Sequence, residues 1–225
     1  MDKMIVYEDN VLLIIHKPAG IATQTSRVGQ ADMVSELKNY RKRKGEDTYI
    51  GVIHRLDQPV EGLLVFAKNQ SAAEILSRQI QDKALKKSYL ALVQGELAQN
   101  SGGKLTDFLQ KDNRTNLSKV VKEGTNGAKK AVLNWNCRKT FQGKGCSMVE
   151  IELLTGRHHQ IRVQFANAGM PLLGDMKYGT EASKALSKQL GVTNTCLLAY
   201  KLALLHPITG KFLEYQIEWR EPLIQ

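Results

Sequence analysis

The chain has 225 residues, 42% hydrophobic and 24% charged, enough to bury a core without disulfides or metals and too apolar for wholesale disorder. Its 32 Lys and Arg against 22 Asp and Glu give a formal charge of +10, an excess that favours a polyanionic partner. No apolar run approaches the roughly 18 residues of a membrane span; the opening residues lack the features of a signal peptide; and three scattered cysteines argue against a disulfide scaffold or a Cys-rich zinc site.

In chain order, Val11–Ile15 is a short apolar run closed by His16-Lys17-Pro18-Ala19-Gly20, which predicts a buried strand entering a turn. Residues 31–44 predict a helix ending in the basic cluster Lys38, Arg41, Lys42, Arg43 and Lys44, with Gly45 as its stop. That cluster suits RNA phosphate or a solvated face equally. Gly62–Ala67 predicts a second buried strand. Ser71-Ala72-Ala73-Glu74 matches a capping box, and Ile75, Leu76 and Ile80 give the following helix an apolar face. Alternation over Lys87–Gln94 predicts a strand. Residues 95–130 lack clear periodicity, and their basic part, from Lys111 to Lys130, reads as an exposed linker or a mobile loop near nucleic acid. Strands are predicted again at Ala131–Trp135 and Cys146–Leu154, and around Leu213, Tyr215, Ile217 and Trp219; Thr195–Leu205 is a further apolar run, and Gln160–Ala168 predicts a short helix. Six to eight strands, often consecutive, with two to four helices predict an α+β fold with a mixed, mostly antiparallel sheet. No linker divides the chain, so one domain over residues 1–225 is expected, as a monomer in a reducing cytoplasm.

Two segments are too polar for their surroundings. His54-Arg55-Leu56-Asp57 precedes a buried strand; Arg55 and Asp57 would share one face of an extended backbone, as a buried ion pair holding a turn or as part of a site. Thr155-Gly156-Arg157-His158-His159-Gln160-Ile161-Arg162 joins a strand to a helix. On a helix, His158 and His159 would share a face with Arg162. A carboxylate brought there would stay ionised beside the cations and could act as nucleophile or base. Adjacent histidines diverge rather than chelate, so no metal is expected; hydrogen bonds capping the helix start are their plainer role. No phosphate-binding glycine loop or Gly-x-Ser-x-Gly elbow is present, so neither a nucleotide cofactor nor a serine hydrolase is indicated.

Six motifs in order resemble the RluA-type pseudouridine synthases over nearly the whole chain: Ile15–Gly20, His54–Asp57 with Gly62–Val65, Lys86–Tyr89, Thr155–Arg162, Gly174–Gly179 and Leu205–Pro207. The resemblance implies the pseudouridine synthase fold and a cofactor-independent isomerase that converts uridines in ribosomal or transfer RNA, ribosomal favoured. It implies Asp57 as nucleophile, Tyr89 against the target base and as a candidate base at C5, and Arg162 as partner of the aspartate. It also implies Arg55 in uridine extrusion, Leu198 lining the pocket, and Arg157 and His159 as further RNA contacts. The catalytic part begins near residue 11, so the additional N-terminal RNA-binding domain of some relatives is expected to be absent. The chain departs from the family at Gln58-Pro59-Val60-Glu61, where Thr-Ser is usual before the glycine, and at Leu198-Ala199-Tyr200, where Leu-His-Ala is common. A non-catalytic RNA-binding or ribosome-assembly protein on the same scaffold is the alternative; a nucleoside glycosidase would leave the charge unexplained.

Overall fold

The computed structural model describes residues 1–25 and 29–219. After a 3-10 turn at Asp2–Met4 come β1 (Ile5–Glu8), β2 (Leu12–Lys17), α1 (Met33–Arg43), β3 (Gly51–Val52), β4 (Glu61–Ala67), α2 (Gln70–Gln81) and β5 (Lys86–Gln94). β6 (Gly102–Asp112), β7 (Leu117–Val121), β8 (Lys129–Phe141), β9 (Cys146–Leu153), α3 (Gln160–Asn167), α4 (Glu181–Gln189), β10 (Leu197–Leu205) and β11 (Phe212–Gln216) follow. The packing groups these into two compact units, residues 1–87 with 199–218, and residues 88–198 with Trp219.

In the first unit, β2 pairs antiparallel with both β1 and β4, β3 adds to β4, and β10 runs beside β4 with β11 antiparallel on it. Leu12, Leu13, Ile14 and Ile15 are all fully buried, as are Leu64, Val65 and Phe66. Both faces of these strands are covered, which is why they read as continuous apolar runs rather than alternating ones. Leu12, Ile14, Leu63 and Val65 meet Ala72 and Leu76 of α2 and Leu202 and Leu204 of β10; each such side chain contributes about 1.5–3 kcal/mol by leaving water. The Gln79 side chain fixes α2 to the end of β10, donating to Leu205 O and accepting from Leu205 N.

The expected capping box is displaced by two residues. Asn69, not Ser71, is the N-cap of α2, with extended backbone and a side-chain oxygen accepting from Ala72 N at 2.9 Å. A short amide side chain three residues before a free N–H does the work of the hydroxyl that the box would have used. The basic end of α1 is partly internal. Arg41 is buried, donating to Tyr49 O, Lys68 O and Glu46, and Lys44 pairs with Glu8 and Glu46. Lys38, Lys42 and Arg43 remain exposed.

The second unit carries the antiparallel order β5-β9-β8-β6-β7. Residues 95–130, expected to be irregular, are half strand. β6 and β7 form a hairpin whose turn holds Asn116 at φ +53, and β6 pairs along β8 from Gly102↔Asn136 to Leu109↔Lys129. The alternation fails there because β6 is exposed at six of its eleven positions and β7 buries only Ser118, so neither strand carries a continuous apolar face. Also unforeseen are β1 and β3, four and two residues long, and α4, which Thr180 caps by accepting from Ser183 N. At the other extreme, β11 ends at Gln216, so Ile217 and Trp219 lie beyond the last strand. Among the described residues, the strands number eleven and the α-helices four.

Candidate functional site

In the first unit, the segment carrying Asp57 is fixed chiefly by backbone contacts. Lys17, at the end of β2, is wholly buried, and its ammonium donates to Pro18 O (2.9 Å), Ile21 O (2.8 Å) and Gln58 O (3.3 Å). Gly20 N donates to Gln58 O, and Gln58 Nε2 returns a bond to Gly20 O. Thr23 Oγ1 donates to Leu56 O and accepts from Leu56 N. Val60 N donates to Asp57 O, closing a turn over residues 57–60. The two apolar-flanked motifs, Lys17–Gly20 and His54–Asp57, are thus two sides of one hydrogen-bonded assembly. Asp57 itself is half-buried and Arg55 is exposed, so a buried Arg55–Asp57 pair is not what holds the turn; Lys17 and Thr23 hold it.

Burial pushes the Lys17 ammonium down to about 8, while the Asp57 and Glu61 carboxylates favour its charge. At the start of β4, Glu61 Oε1 lies 2.7 Å from His16 Nε2; that bond, aided by Lys17 and opposed by burial, holds the Glu61 carboxyl below its usual range. His54 is buried and accepts weakly from Val65 N at 3.4 Å; desolvation, with Lys87 adding, drives it well below its ordinary value, so it is neutral at pH 7. Gly62 has φ +135, and a Cβ there would sit 2.5 Å from Ala199 N and O. Only glycine suits that backbone, which brings β4 against β10.

In the second unit, α3 and the Gly174–Gly179 segment meet in a buried ion pair. Arg162, on α3, gives Nε and Nη2 to the two oxygens of Asp175, each at 2.7 Å, and both side chains are almost wholly enclosed. Asp175 Oδ1 also accepts from Lys177 N and Tyr178 N. Burial opposes ionisation of Asp175, yet the Arg162 guanidinium and these two amides hold its carboxyl below the ordinary value. The guanidinium lies over the Tyr178 ring, 5.1 Å from its centroid. Flanking glycines permit the loop: a Cβ at Gly174 would sit 1.9 Å from Asn194 O, and one at Gly179 2.4 Å from Asp175 O. Asp175 carries the motif Gly174–Gly179, yet the sequence reading gave it no role; an acid between two such glycines was the available signal.

The turn before α3 departs from expectation. The helix begins at Gln160, so His158 and His159 precede it instead of sharing its face with Arg162. His159 occupies the N-cap with φ +53 and makes no side-chain capping bond; its Nδ1 is 2.7 Å from Tyr178 Oη, and its ring stacks on His158. His158 Nδ1 meets Ser118 Oγ at 2.9 Å. The amide of Gln160 closes the turn instead, accepting from Arg157 N and Thr155 Oγ1 while donating to Val132 O. Arg157 is exposed and donates to Lys130 O. Tyr89 is buried in β5 opposite Ile151, and Leu198 is buried at the start of β10. Among the described residues, no group of three or more His, Cys, Asp and Glu side chains could hold a metal ion.

Residues 11–167 match the family model described as RNA pseudouridylate synthase. The uncharacterized RNA pseudouridine synthase YhcT of Bacillus subtilis is 38% identical over 93% of this chain and 66% of its own length. In Pasteurella multocida, the ribosomal large subunit pseudouridine synthase C is 31% identical over 95% of this chain and 63% of its own length. The tRNA pseudouridine synthase C of the same organism is 31% identical over 91% of this chain and 86% of its own length. The chain thus spans about two thirds of several curated relatives it matches. The human RNA pseudouridylate synthase domain containing 4 shares the fold at a TM-score of 0.77, with 22% identity, over 98% of this chain and 90% of that one. With its motifs in family order, its fold shared and the family model spanning most of its length, the chain belongs to the RNA pseudouridylate synthases, the isomerases its RluA-type motifs led one to expect.

Proposed function

We propose that the chain isomerises selected uridines in structured RNA to pseudouridine, with residues 1–225 acting as one catalytic domain and Asp57 as nucleophile. The reaction breaks the C1′–N1 glycosidic bond, turns the uracil and joins C1′ to C5; N1 gains a proton and C5 loses one. Asp57 attacks uracil C6 or ribose C1′, dividing one difficult step into two easier ones. Arg162 keeps that carboxylate ionised and oriented, and Tyr89 accepts the C5 proton directly or through water, a contribution of about 10²–10⁴-fold for general base catalysis. Extruding the uridine costs a few kcal/mol. Arg55 helps take it out of the stack; Arg157, His159 and Leu198 complete the RNA and base contacts; and phosphate attraction to a chain of charge +10 offsets the cost.

The observation that carries this reading is the turn over residues 57–60: a half-exposed carboxylate on a backbone immobilised by a buried ammonium suits a nucleophile that must be aimed. Relatives named for ribosomal and for transfer RNA both match, and ribosomal RNA is favoured here. The test is a modification map of RNA from a deletion strain complemented with parent or Asp57→Ala. The parent restores at least one pseudouridine in ribosomal RNA, and the alanine variant restores none while still binding RNA. Product from the variant removes Asp57 from the mechanism. A complete map unchanged by deletion favours the RNA-binding alternative.

A further inference from the structure

We propose that Glu61, clamped by His16, is a positioning residue that keeps the buried Lys17 ammonium charged and so holds the Asp57 turn in place through the reaction. The inference rests on Asp57 being the nucleophile and adds a role at a position where the chain departs from its family.

The geometry is self-contained within the first unit. Lys17 has three acceptors, all backbone carbonyls: two in the 18–21 loop and one, Gln58 O, in the Asp57 turn. An ammonium has three N–H groups, one for each. A neutral amine has two, so loss of the proton leaves one buried carbonyl facing a lone pair, and Gln58 O, at the longest distance, is the bond most easily given up. Neutral carbonyls supply no countercharge. The charged groups acting on the ammonium are Asp57 on the turn and Glu61 at the start of β4, with His16 of β2 bound to Glu61.

These two countercharges are not equivalent during turnover. When the Asp57 carboxylate bonds to C6 or C1′, it becomes a neutral ester and its charge is lost until the bond breaks again. Throughout that interval Glu61 is left to balance Lys17. The usual serine at this position could not do so. His16, its ring about one third exposed, fixes the carboxylate in place at 2.7 Å and limits its reach toward water or RNA.

The test is Glu61→Gln, which keeps size and hydrogen bonding but removes the charge, with Glu61→Asp as the conservative variant. Two readouts are used. The first is direct titration of Lys17 by carbon NMR at Cε, assigned by its loss in Lys17→Arg. It titrates near pH 8 in the parent, at lower pH in Glu61→Gln, and between the two in Glu61→Asp. The second is the pH profile of pseudouridine formation. Between pH 7 and 8.5, kcat of Glu61→Gln falls about twofold more than that of the parent, the loss given by a Lys17 titration lowered about half a pH unit from about 8, while KM for RNA moves little. Thermal unfolding does not mirror this limb: a buried lysine of lowered pKa binds fewer protons folded than unfolded, so stability rises with pH across the same window. An unmoved Lys17 titration overturns the proposal whether or not product forms. A moved titration with parallel pH profiles overturns the link to the Asp57 turn. A parent that makes no pseudouridine on the deletion strain's own RNA defeats the enzymatic reading and leaves the titration result standing.

Discussion

Asp175 shows how much one residue outside the expected constellation carries. Its carboxylate accepts two bonds from Arg162 and two from backbone amides, with both partners out of water. Asp175→Asn leaves the enclosed guanidinium facing a neutral amide with one acceptor oxygen in place of two, and a broken buried pair costs about 3–5 kcal/mol. Urea denaturation at pH 7 measures that loss. Because the folded-state carboxyl titrates below its ordinary value, its stabilisation is complete above that value and disappears as pH falls through the lowered one. The parent's advantage over Asp175→Asn therefore shrinks as denaturation is repeated toward acid. Single residues were unevenly legible. Asp57, Tyr89 and Arg162 stood out because their motifs did, whereas Lys17 was read as part of a turn and Asp175 only as part of a match. Nothing local in the sequence says that a lysine is buried; its three carbonyl partners lie one, four and 41 residues away.

Elements were legible where one partner or none decided them. β2 and β4 are apolar on both faces and announce themselves, and α3 was expected almost to the residue. The β6–β7 hairpin was missed because β6 is held by pairing to β8 and β7 by pairing to β6, with few buried apolar side chains to mark either strand. The start of α2 was misplaced because two capping patterns overlap: Asn69 lies two residues before Ser71, and only the extended backbone at Asn69 decides between them. The distinction is measurable. Asn69→Ala loses the bond to Ala72 N and about 1 kcal/mol of stability, whereas Ser71→Ala, at an exposed position inside the helix, changes the midpoint of chemical unfolding by less than about 0.5 kcal/mol equivalent. Equal losses for the two variants would reassign the cap to the hydroxyl.

For the whole molecule, composition located the partner class and motif order located the family, but neither could reveal that the packing divides at residues 87–88 and 198–199. No composition shift marks those points, because each falls within or beside a strand, and strands resemble one another in sequence. The charge of +10 likewise hides a division of labour: Arg41, Lys44 and Lys68 are taken up by Glu8 and Glu46 or by carbonyls, so the excess available to a polyanion comes from other side chains.

The first unit is assembled from two distant stretches, while the second is almost one continuous segment. During synthesis, β4 waits more than a hundred residues for β10 to lie beside it. Until then one of its edges is bare, apolar on both faces and ready to recruit a foreign strand. A chain stopped at Leu198 should therefore precipitate on expression while the full chain stays dispersed, which sedimentation of the two products would reveal. Gly62, with no side chain to fend off a neighbour, makes that waiting edge more hospitable still, so the order of translation itself becomes a hazard the cell must manage.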